Sequence, residues 1–280
     1  MVSNNKKQSG ATGPTGSVVT ADDGGVGKTT VAIQLVTAFE LASQPLDLYQ
    51  MDSKGKLAAK TGEPVVNLVV PDQRQSRGEE MVASDMIVPW YRAVTAMPQT
   101  GRSTLIEVGG AMAGLFHNAI TDLDFDEDII MLGLQIVIYV VCKAGEDSAV
   151  QMARELKRIE RNLPNATPVI VLNAVAGDPI EAAKYLSDDA RKNFASAIKR
   201  YPTLKMPKVR PRSMAIYERM QVLPSTVVSW HADNYAEAIR RTGRPRDEAK
   251  ILVKDVAEWT AVMQDEILRV LPFLAGGRDG

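Results

Sequence analysis

The sequence predicts an α/β fold: a doubly wound, mostly parallel sheet flanked by helices, with a helical C-terminal tail. Short apolar runs rich in β-branched residues alternate with longer segments of helical periodicity along the 280 residues. One of these runs, 134–142 (LQIVIYVVC), is apolar almost throughout, as expected of a parallel strand that helices cover on both faces. Right-handed crossovers between such strands place helices on both sides of one sheet.

The first strand and the helix after it are joined by a Gly-rich turn. A β-branched run ends at Thr20, the turn spans 22–27, and apolar residues then recur at helical spacing from Val31 to Phe39. This order is the arrangement of a phosphate-binding loop (P-loop), in which backbone N–H groups and the helix N-terminus surround a polyphosphate. The loop residues predicted to bind a nucleotide are Gly24, Gly25, Val26, Gly27, Lys28, Thr29 and Thr30.

Two side chains of this loop have predicted roles. Lys28 is predicted to reach the β and γ phosphates, and Thr29 is predicted to hold Mg²⁺. The usual pattern opens with a glycine at the position that Asp22 occupies here. The alternative interpretation is an ordinary Gly-rich turn, but Gly-Lys-Thr-Thr follows a strand and opens a helix, as the phosphate-binding motif requires.

The other elements are predicted from the same periodicities. Strands are expected at 18–20, 45–51, 65–70, 103–108, 134–142, 168–174 and 204–209. Helices are expected at 28–39, 81–96, 146–163, 179–201 and 214–221, with two more after residue 233. The acidic run 122–128 is expected to be a solvated loop or a helix end. The chain then divides into a flexible N-terminal tail (1–16), a nucleotide-binding domain (17–232) and a helical extension packed on the same domain (233–280).

Composition limits the partners and the compartment. The net charge is −1, so the chain as a whole does not attract nucleic acid or an anionic membrane, and such a partner would need a local patch. Cys142 is the only cysteine, which excludes a disulfide framework and an intrachain Cys-rich metal site and fits a reduced, cytoplasmic setting. The apolar stretch 131–141 is too short to span a membrane.

Polar residues follow several predicted strands, at the sheet edge where ligands of doubly wound sheets bind. Asp52 is placed to orient water or Mg²⁺ beside the γ-phosphate; the alternative is a plain turn residue. Glu107 ends the strand 103–108 at the position of a Walker B acid, or else it caps that strand for solubility. The Asn173 amide is placed to read a purine edge, or it is a structural turn residue.

These residues together resemble the deviant Walker A ATPases of the ParA/MinD type. The resemblance rests on GGVGKTT (24–30) after a strand, on Asp52, and on Asn173 near the end of PVIVLNA. The segment 206–212 (MPKVRPR) is similar to that family's final strand and its turn at the adenine, which implies that Arg210 and Pro211 contact the nucleotide. The likeness covers about residues 17–225, and part of it is more faintly similar to plasmid-stability and conjugal-transfer members.

The resemblance implies a nucleotide-dependent switch. It implies binding of ATP with Mg²⁺, the metal held by Thr29 and Glu107, and a homodimer that forms on ATP binding. It further implies slow hydrolysis, with Lys28 and Asp52 as the catalytic residues. The expected setting is DNA segregation, plasmid partition or conjugal transfer, with DNA or a partition or conjugation protein as the partner.

The sequence departs from that family at several positions near the nucleotide. Asp23 stands where the family has its signature lysine, and a reversed charge beside a polyphosphate is unfavourable unless a cation offsets it. Gln50 and Lys54 replace an aspartate and a glutamine of the family pattern, and Glu107 replaces the shorter Walker B aspartate. ATP binding is therefore expected to be retained better than efficient hydrolysis.

A local basic face is predicted at 191–219. Its cations are Arg191, Lys192, Lys199, Arg200, Lys205, Lys208, Arg210, Arg212 and Arg219, against the acid Glu218. Such a face suits non-specific binding to the phosphate backbone of DNA. The alternative is a solvated helix face with arginines that point at the nucleotide. The last helix carries acids on its polar face, which favours packing on the sheet or a dimer contact over a membrane anchor.

Alternative functions remain open at this point. The first alternative to a weak ATPase is a degenerate, non-hydrolysing adaptor that binds DNA or a partner protein. The next is an ATP-dependent carboxylate ligase of the same superfamily, which needs a substrate pocket that no residue cluster indicates. A reductase with an iron–sulfur cluster shared between subunits needs more cysteines than the single Cys142.

Overall fold

One parallel sheet forms the centre of the molecule. The computed structural model describes residues 13–52, 55–68, 83–271 and 273–274. Within these ranges the strands are β1 (Thr15–Thr20), β2 (Leu46–Met51), β3 (Val65–Asn67), β4 (Ser103–Val108), β5 (Gln135–Lys143), β6 (Thr167–Asn173) and β7 (Thr203–Met206). They form a seven-stranded sheet in the order β3-β2-β4-β1-β5-β6-β7, and every neighbouring pair is parallel. The predicted α/β class with a parallel sheet is confirmed.

Helices connect the strands and follow the last one. They are α1 (Lys28–Leu41), α2 (Lys56–Thr61), α3 (Ala83–Thr95), α4 (Met97–Thr100), α5 (Ala113–Asp122), α6 (Phe125–Met131), α7 (Glu146–Asn162), α8 (Pro179–Ala182), α9 (Asp188–Arg200), α10 (Pro211–Tyr217), α11 (Pro224–Ser229), α12 (Ala236–Thr242) and α13 (Arg246–Val270). Short 3₁₀ helices lie at 110–112, 174–176 and 183–185.

The sheet is buried on both faces because helices lie on each side of it. Along β5, Val137 and Tyr139 point to a core that includes α1 and α13, whereas Ile138 and Val140 point to a core that includes α3, α5, α7 and α9. A side chain of this size contributes about 1.5–3 kcal/mol when it is fully buried. This two-sided burial explains why the run 134–142 carries almost no polar residue.

The first strand begins two residues before the predicted domain boundary at residue 17. β1 begins at Thr15 and includes Gly16. A side chain at Gly16 would place its Cβ 2.7 Å from Ile136 Cδ1, so a glycine allows this part of β1 to pack closely. Residues 1–12 of the predicted tail lie outside the described residues.

Two predicted elements end or break where the local chemistry requires it. The predicted strand 204–209 stops at Met206, because Pro207 has no N–H group to donate to a neighbouring strand. The predicted helix 179–201 is divided into α8, a 3₁₀ turn and α9. Ser187, which precedes α9, is extended and bonds the Glu146 carboxylate through its backbone N–H and its hydroxyl.

Further differences concern short elements. The acidic run 122–128 is not only solvated, since Phe125 is fully buried and opens α6. Its acids at 126–128 occupy the first turn of α6, where the helix dipole favours negative charge. Helix α11, which starts at Pro224, was not predicted. The predicted strand 65–70 and helix 81–96 are β3 and α3 as far as they are described; residues 69–82 lie outside the described part.

The C-terminal helices pack against the sheet side that also holds α1. Leu252, Val256 and Met263 of α13 belong to the same buried cluster as Val31 and Leu35 of α1. The division of the chain at residue 232 stays a prediction. Among the helices that the structure describes, none has the length and apolar composition needed to cross a membrane.

Candidate functional site

The Gly-rich loop leaves the sheet at the carboxyl end of β1, which lies between β4 and β5. Gly27 has φ 98°, a conformation that residues with a side chain rarely adopt, and a Cβ there would lie 2.4 Å from Asn173 Nδ2. Gly27 gives the N-terminus of α1 no side-chain cap. The N–H groups of the first turn are therefore suited to an anion.

Lys28 opens α1 and is almost completely buried. Its Nζ donates to the backbone oxygens of Ala21 (3.1 Å) and Asp23 (2.6 Å). Burial lowers the pKa of Lys28, and the nearby carboxylates of Glu107 and Asp52 oppose that shift. A cation thus sits inside the loop, held by carbonyl groups that a phosphate can replace.

The side chain of Thr29, the residue after Lys28, contacts the Glu107 carboxylate of β4. The Thr29 hydroxyl donates to Glu107 Oε1 over 2.5 Å, and Glu107 is 2 % exposed. Burial raises the pKa of Glu107; the hydrogen bond from Thr29 and the Lys28 charge act in the opposite direction. Because the hydroxyl proton goes to Glu107, an oxygen lone pair of Thr29 remains for a metal ion.

The predicted phosphate and metal residues converge on one cavity of about 760 Å³, the phosphate-side cavity. Among the residues that line it are Gly24, Gly25, Gly27, Lys28, Thr29, Thr30, Asp52 and Glu107. The loop residue Val26 was also predicted to bind the nucleotide, but it is buried and lines neither this cavity nor the next, and its carbonyl accepts a hydrogen bond from Asn173. The convergence follows from β1, β2 and β4 ending at the same edge of the sheet.

A second cavity of about 450 Å³, the base-side cavity, adjoins the first and shares Gly25, Gly27 and Thr30 with it. Pro211 and Asn173, both predicted to bind the nucleotide, line the base-side cavity. Met206, Pro207, Lys208 and Val209 of the predicted segment 206–212 line it as well.

Asn173 has a supporting role that was only an alternative in the sequence. Its Nδ2 donates to the Val26 backbone oxygen (2.8 Å), and its Oδ1 accepts from the Val175 backbone N–H (2.9 Å). The amide therefore joins the loop to the end of β6. Contact between the Asn173 amide and a purine edge stays a prediction, and it would have to form in addition to these two hydrogen bonds.

The two acids at the start of the loop are each matched by a cation from another element. Asp22 accepts two short contacts from Arg158 Nη1, at 2.6 and 2.8 Å, and Arg158 lies on α7. The Asp23 carboxylate lies 3.7 Å from Lys143 Nζ at the end of β5. These pairs explain how the loop accommodates aspartates where a glycine and a lysine are usual.

A buried polar network continues from Arg158 beneath the loop. Glu155 is 1 % exposed and contacts Arg158 (3.4 Å), the Thr20 hydroxyl (3.0 Å) and His117 Nε2 (3.0 Å). Burial raises the pKa of Glu155, but the hydrogen bonds from His117 and Thr20 and the Arg158 charge outweigh that effect and lower it. Thr20 and Asp22, which flank the start of the loop, are thereby tied to α7.

Sequence reasoning missed several residues of the phosphate-side cavity. Lys56 and Lys60 line it from α2, and Trp259 lines it from α13. Lys60 donates to the backbone oxygen of Glu218, which connects α2 to the segment after α10 across this cavity. The position of Lys56 and Lys60 shortly after Asp52 in the sequence was the signal that could have identified them. Nothing in the local sequence of Trp259 separates it from an ordinary core residue.

Arg210 lies outside the cavities, and several charges of the predicted basic face are neutralised by acids. The Arg210 side chain is 62 % exposed and pairs with Asp255 of α13 (3.3 Å) instead of lining either cavity. Within the described residues, four cations of the basic face have acidic partners from other positions: Arg191 with Asp188, Arg200 with Glu160, Arg210 with Asp255, and Arg212 with Glu248. The face is therefore less basic than the segment alone indicates.

The residues present suit a nucleotide with a magnesium ion. The uncapped helix start and Lys28 suit phosphates, and the Thr29 hydroxyl oriented by Glu107 suits a hard cation. The described residues contain no cluster of three or more His, Cys, Asp or Glu side chains that could hold a metal alone. Magnesium bound with phosphates needs few protein ligands, so a single hydroxyl and a nearby carboxylate are sufficient.

Comparison with known proteins gives one family match. Residues 17–266 match the family model CbiA, described as the CobQ/CobB/MinD/ParA nucleotide binding domain. The matched range includes the loop and all seven described strands from Ser17 onward, and it ends within α13. No curated protein matches this sequence.

Solved structures that are similar at low identity include the following three. The MinD cell division protein of Aquifex aeolicus has 18% identity and a TM-score of 0.47, covering 87% of this chain and 95% of that chain. The MinC:MinD cell division protein complex of Aquifex aeolicus has 15% identity and a TM-score of 0.45, with 87% and 94% covered. Cobyrinic acid a,c-diamide synthase from Mycobacterium smegmatis, with bound ADP and magnesium, has 13% identity and a TM-score of 0.42, with 79% and 96% covered.

The Arg158–Asp22 pair makes a testable contribution to anion binding. We expect Arg158→Ala to weaken the binding of tripolyphosphate with Mg²⁺ about three- to tenfold, because the Asp22 carboxylate then repels the anion without its guanidinium partner. Isothermal titration calorimetry on the full chain measures this affinity.

Arg161→Ala is the matched control, since Arg161 lies on the same helix and bonds only its neighbour Asn162 among the contacts described. Equal affinities for the two variants would mean that the Asp22 charge is not felt at the loop.

Proposed function

Because the chain belongs to the family of CobQ/CobB/MinD/ParA nucleotide-binding domains, we propose that it binds ATP with Mg²⁺ and works as a dimerisation switch with weak ATP hydrolysis. The observation that carries this proposal is the convergence of Lys28, Thr29, Asp52 and Glu107 on one cavity of about 760 Å³ beside the Gly-rich loop. Small-molecule sites are typically clefts of about 300–1,000 Å³ with a few convergent polar groups.

In this proposal the loop binds the phosphates. The backbone N–H groups at the start of α1 and the Lys28 ammonium are the donors, and Lys28 exchanges its two carbonyl contacts for phosphate oxygens. Lys56 and Lys60 of α2 also line the cavity and add positive charge there. The cavity thus offers more cations than the loop motif alone provides.

Thr29 and Glu107 are the proposed magnesium residues. Thr29 would supply its hydroxyl oxygen, and Glu107 would keep that hydroxyl oriented by accepting its proton in the 2.5 Å hydrogen bond. Magnesium supplies charge neutralisation on the phosphates when it is bound. The longer Glu107 side chain can make this contact because β4 lies directly beside β1.

The remaining site residues complete the proposed nucleotide site. Pro211 and Asn173 form part of the base-side cavity, with Asn173 acting on the loop as well. Asp52 is the residue proposed to orient the attacking water, since it lines the cavity together with Lys28. Hydrolysis to ADP and phosphate is proposed to be weak because Asp23 stands in the loop where a lysine usually supports it.

The wider role remains part of the proposal. We place the switch in DNA segregation, plasmid partition or conjugal transfer, with homodimerisation on ATP binding and DNA or another protein as the cargo. The alternative is an adaptor that binds ATP without turnover. That alternative is supported by the pairing of Asp23 with Lys143, which retains an acid at the loop.

Removal of the Lys28 ammonium tests the phosphate site. We expect Lys28→Ala to lower ATP–Mg²⁺ affinity by about a hundredfold or more, since a charge-assisted contact to phosphate is lost in a buried site. Calorimetric titration measures the affinity, and thermal unfolding checks that the variant is folded. Lys184→Ala is the control, because Lys184 is exposed and pairs with Glu181. Undiminished affinity in Lys28→Ala would contradict the site assignment.

Comparison of hydrolysis rates separates the switch from the adaptor. We expect Asp52→Ala to reduce phosphate release at least about tenfold while ATP affinity changes little, because orientation of water contributes to the rate and not to binding. A steady-state phosphate assay at saturating ATP measures it. If the wild type and Asp52→Ala release phosphate at the same background rate, the adaptor is favoured.

Dimerisation and DNA binding are tested together by gel filtration with and without ATP–Mg²⁺ and duplex DNA. We expect ATP to shift the chain to a dimer and DNA to co-elute only at low salt, because contacts to the phosphate backbone release counterions. The double variant Lys192→Glu with Lys199→Glu should abolish co-elution without changing the ATP-dependent dimer. Lys157→Glu on α7 is the control, and DNA binding that is independent of salt would contradict the basic face.

A further inference from the structure

A buried carboxylate on the C-terminal helix faces the start of α10. The side chain of Asp255 on α13 is 4 % exposed. Its Oδ2 accepts a 2.6 Å hydrogen bond from the Ser213 hydroxyl, and its Oδ1 lies 3.3 Å from Arg210 Nε. Ser213 is itself buried. Both donors come from one short segment, 210–213, which α13 therefore holds.

The segment that Asp255 holds forms a wall of the base-side cavity. Val209, Pro211 and Met214 line this cavity, and they alternate with the residues that bond Asp255. Pro211 fixes φ at the first position of α10 but donates no hydrogen bond, and α10 has no side-chain cap at its start. Its position relative to the loop depends on what packs behind it.

A second contact follows along α13. Trp259 lies one helical turn after Asp255, lines both cavities, and packs edge-on against Tyr217 of α10 with ring centroids 5.9 Å apart. On the other side of Asp255, Glu248 pairs with Arg212 over 2.7 Å. One face of α13 therefore contacts α10 twice: through polar side chains at the start of α10 and through Trp259 and Tyr217 at the end of α10.

We propose that Asp255 is a positioning residue for the nucleotide: through Ser213 and Arg210 it fixes residues 209–214 as the wall against which the base binds. This inference rests on the proposed ATP site. A buried carboxylate is unfavourable unless it is paired and hydrogen-bonded, and here both partners belong to the segment that it positions. Loss of the charge leaves the wall free to shift, while the loop and Lys28 are unaffected.

Comparison of ATP with tripolyphosphate distinguishes an effect of Asp255 on the base from a general effect on the protein. ATP uses both cavities, whereas tripolyphosphate has no base and uses the phosphate-side cavity alone. We expect Asp255→Asn to weaken ATP–Mg²⁺ binding about tenfold and tripolyphosphate–Mg²⁺ binding less than about twofold, measured by calorimetric titration of the full chain. Glu258→Gln, on the exposed side of the same helix, should change neither affinity.

A second variant keeps the test decisive if Asp255→Asn does not fold. Ser213→Ala retains the pair between Asp255 and Arg210 and removes one hydrogen bond, so we expect about a threefold loss of ATP affinity alone. Unchanged ATP affinity in the folded variants, or equal losses for ATP and tripolyphosphate, overturns the inference and leaves the proposed function intact. A wild-type chain that binds neither ligand overturns both.

Discussion

The hydrogen bond from Asn173 to the Val26 carbonyl determines the geometry on which the rest of the site depends. It ties the Gly-rich loop to β6, on the far side of β5, so the loop is held from a strand distant in sequence. The amide can approach this closely only because Gly27 has no side chain. The contact lies two residues before Lys28, where α1 begins. The loop is therefore a product of the sheet order as much as of its own glycines.

Charge balance around this loop is local. The chain carries almost equal numbers of acids and bases, yet Lys28 lies among the carboxylates of Glu107, Asp52, Asp23 and Asp22. Cations from α7 and β5 offset the last two of these acids in pairs that are partly exposed to solvent. The acids at the loop are thus part of a paired arrangement, which keeps the phosphate-side cavity suited to an anion.

The C-terminal helices take part in the site as well as in the core. Trp259 reaches both cavities, and Asp255 and Glu248 hold the turn that carries Pro211. The same helix buries apolar residues against α1, whose first turn forms the phosphate side. Packing of α13 therefore links the two ends of the proposed nucleotide site through the hydrophobic core.

Local signals in the sequence were enough to predict the α/β class, the loop and the convergence of Lys28, Thr29, Asp52 and Glu107. Parallel strands end at one edge of the sheet, and these residues lie near the end of β4 or in the segments that follow β1 and β2. Short-range chemistry also explains where prediction stopped, as at Pro207, which ended a strand earlier than its apolar pattern indicated.

The partners of the loop acids and of Asp255 could not be predicted, since Arg158, Lys143 and Ser213 meet them only after distant helices pack. The basic face changed for the same reason, because acids such as Glu160 and Glu248 reach its arginines from elsewhere in the chain. Periodicity and motif spacing are encoded along the chain, whereas ion pairing depends on distances that only the tertiary structure sets.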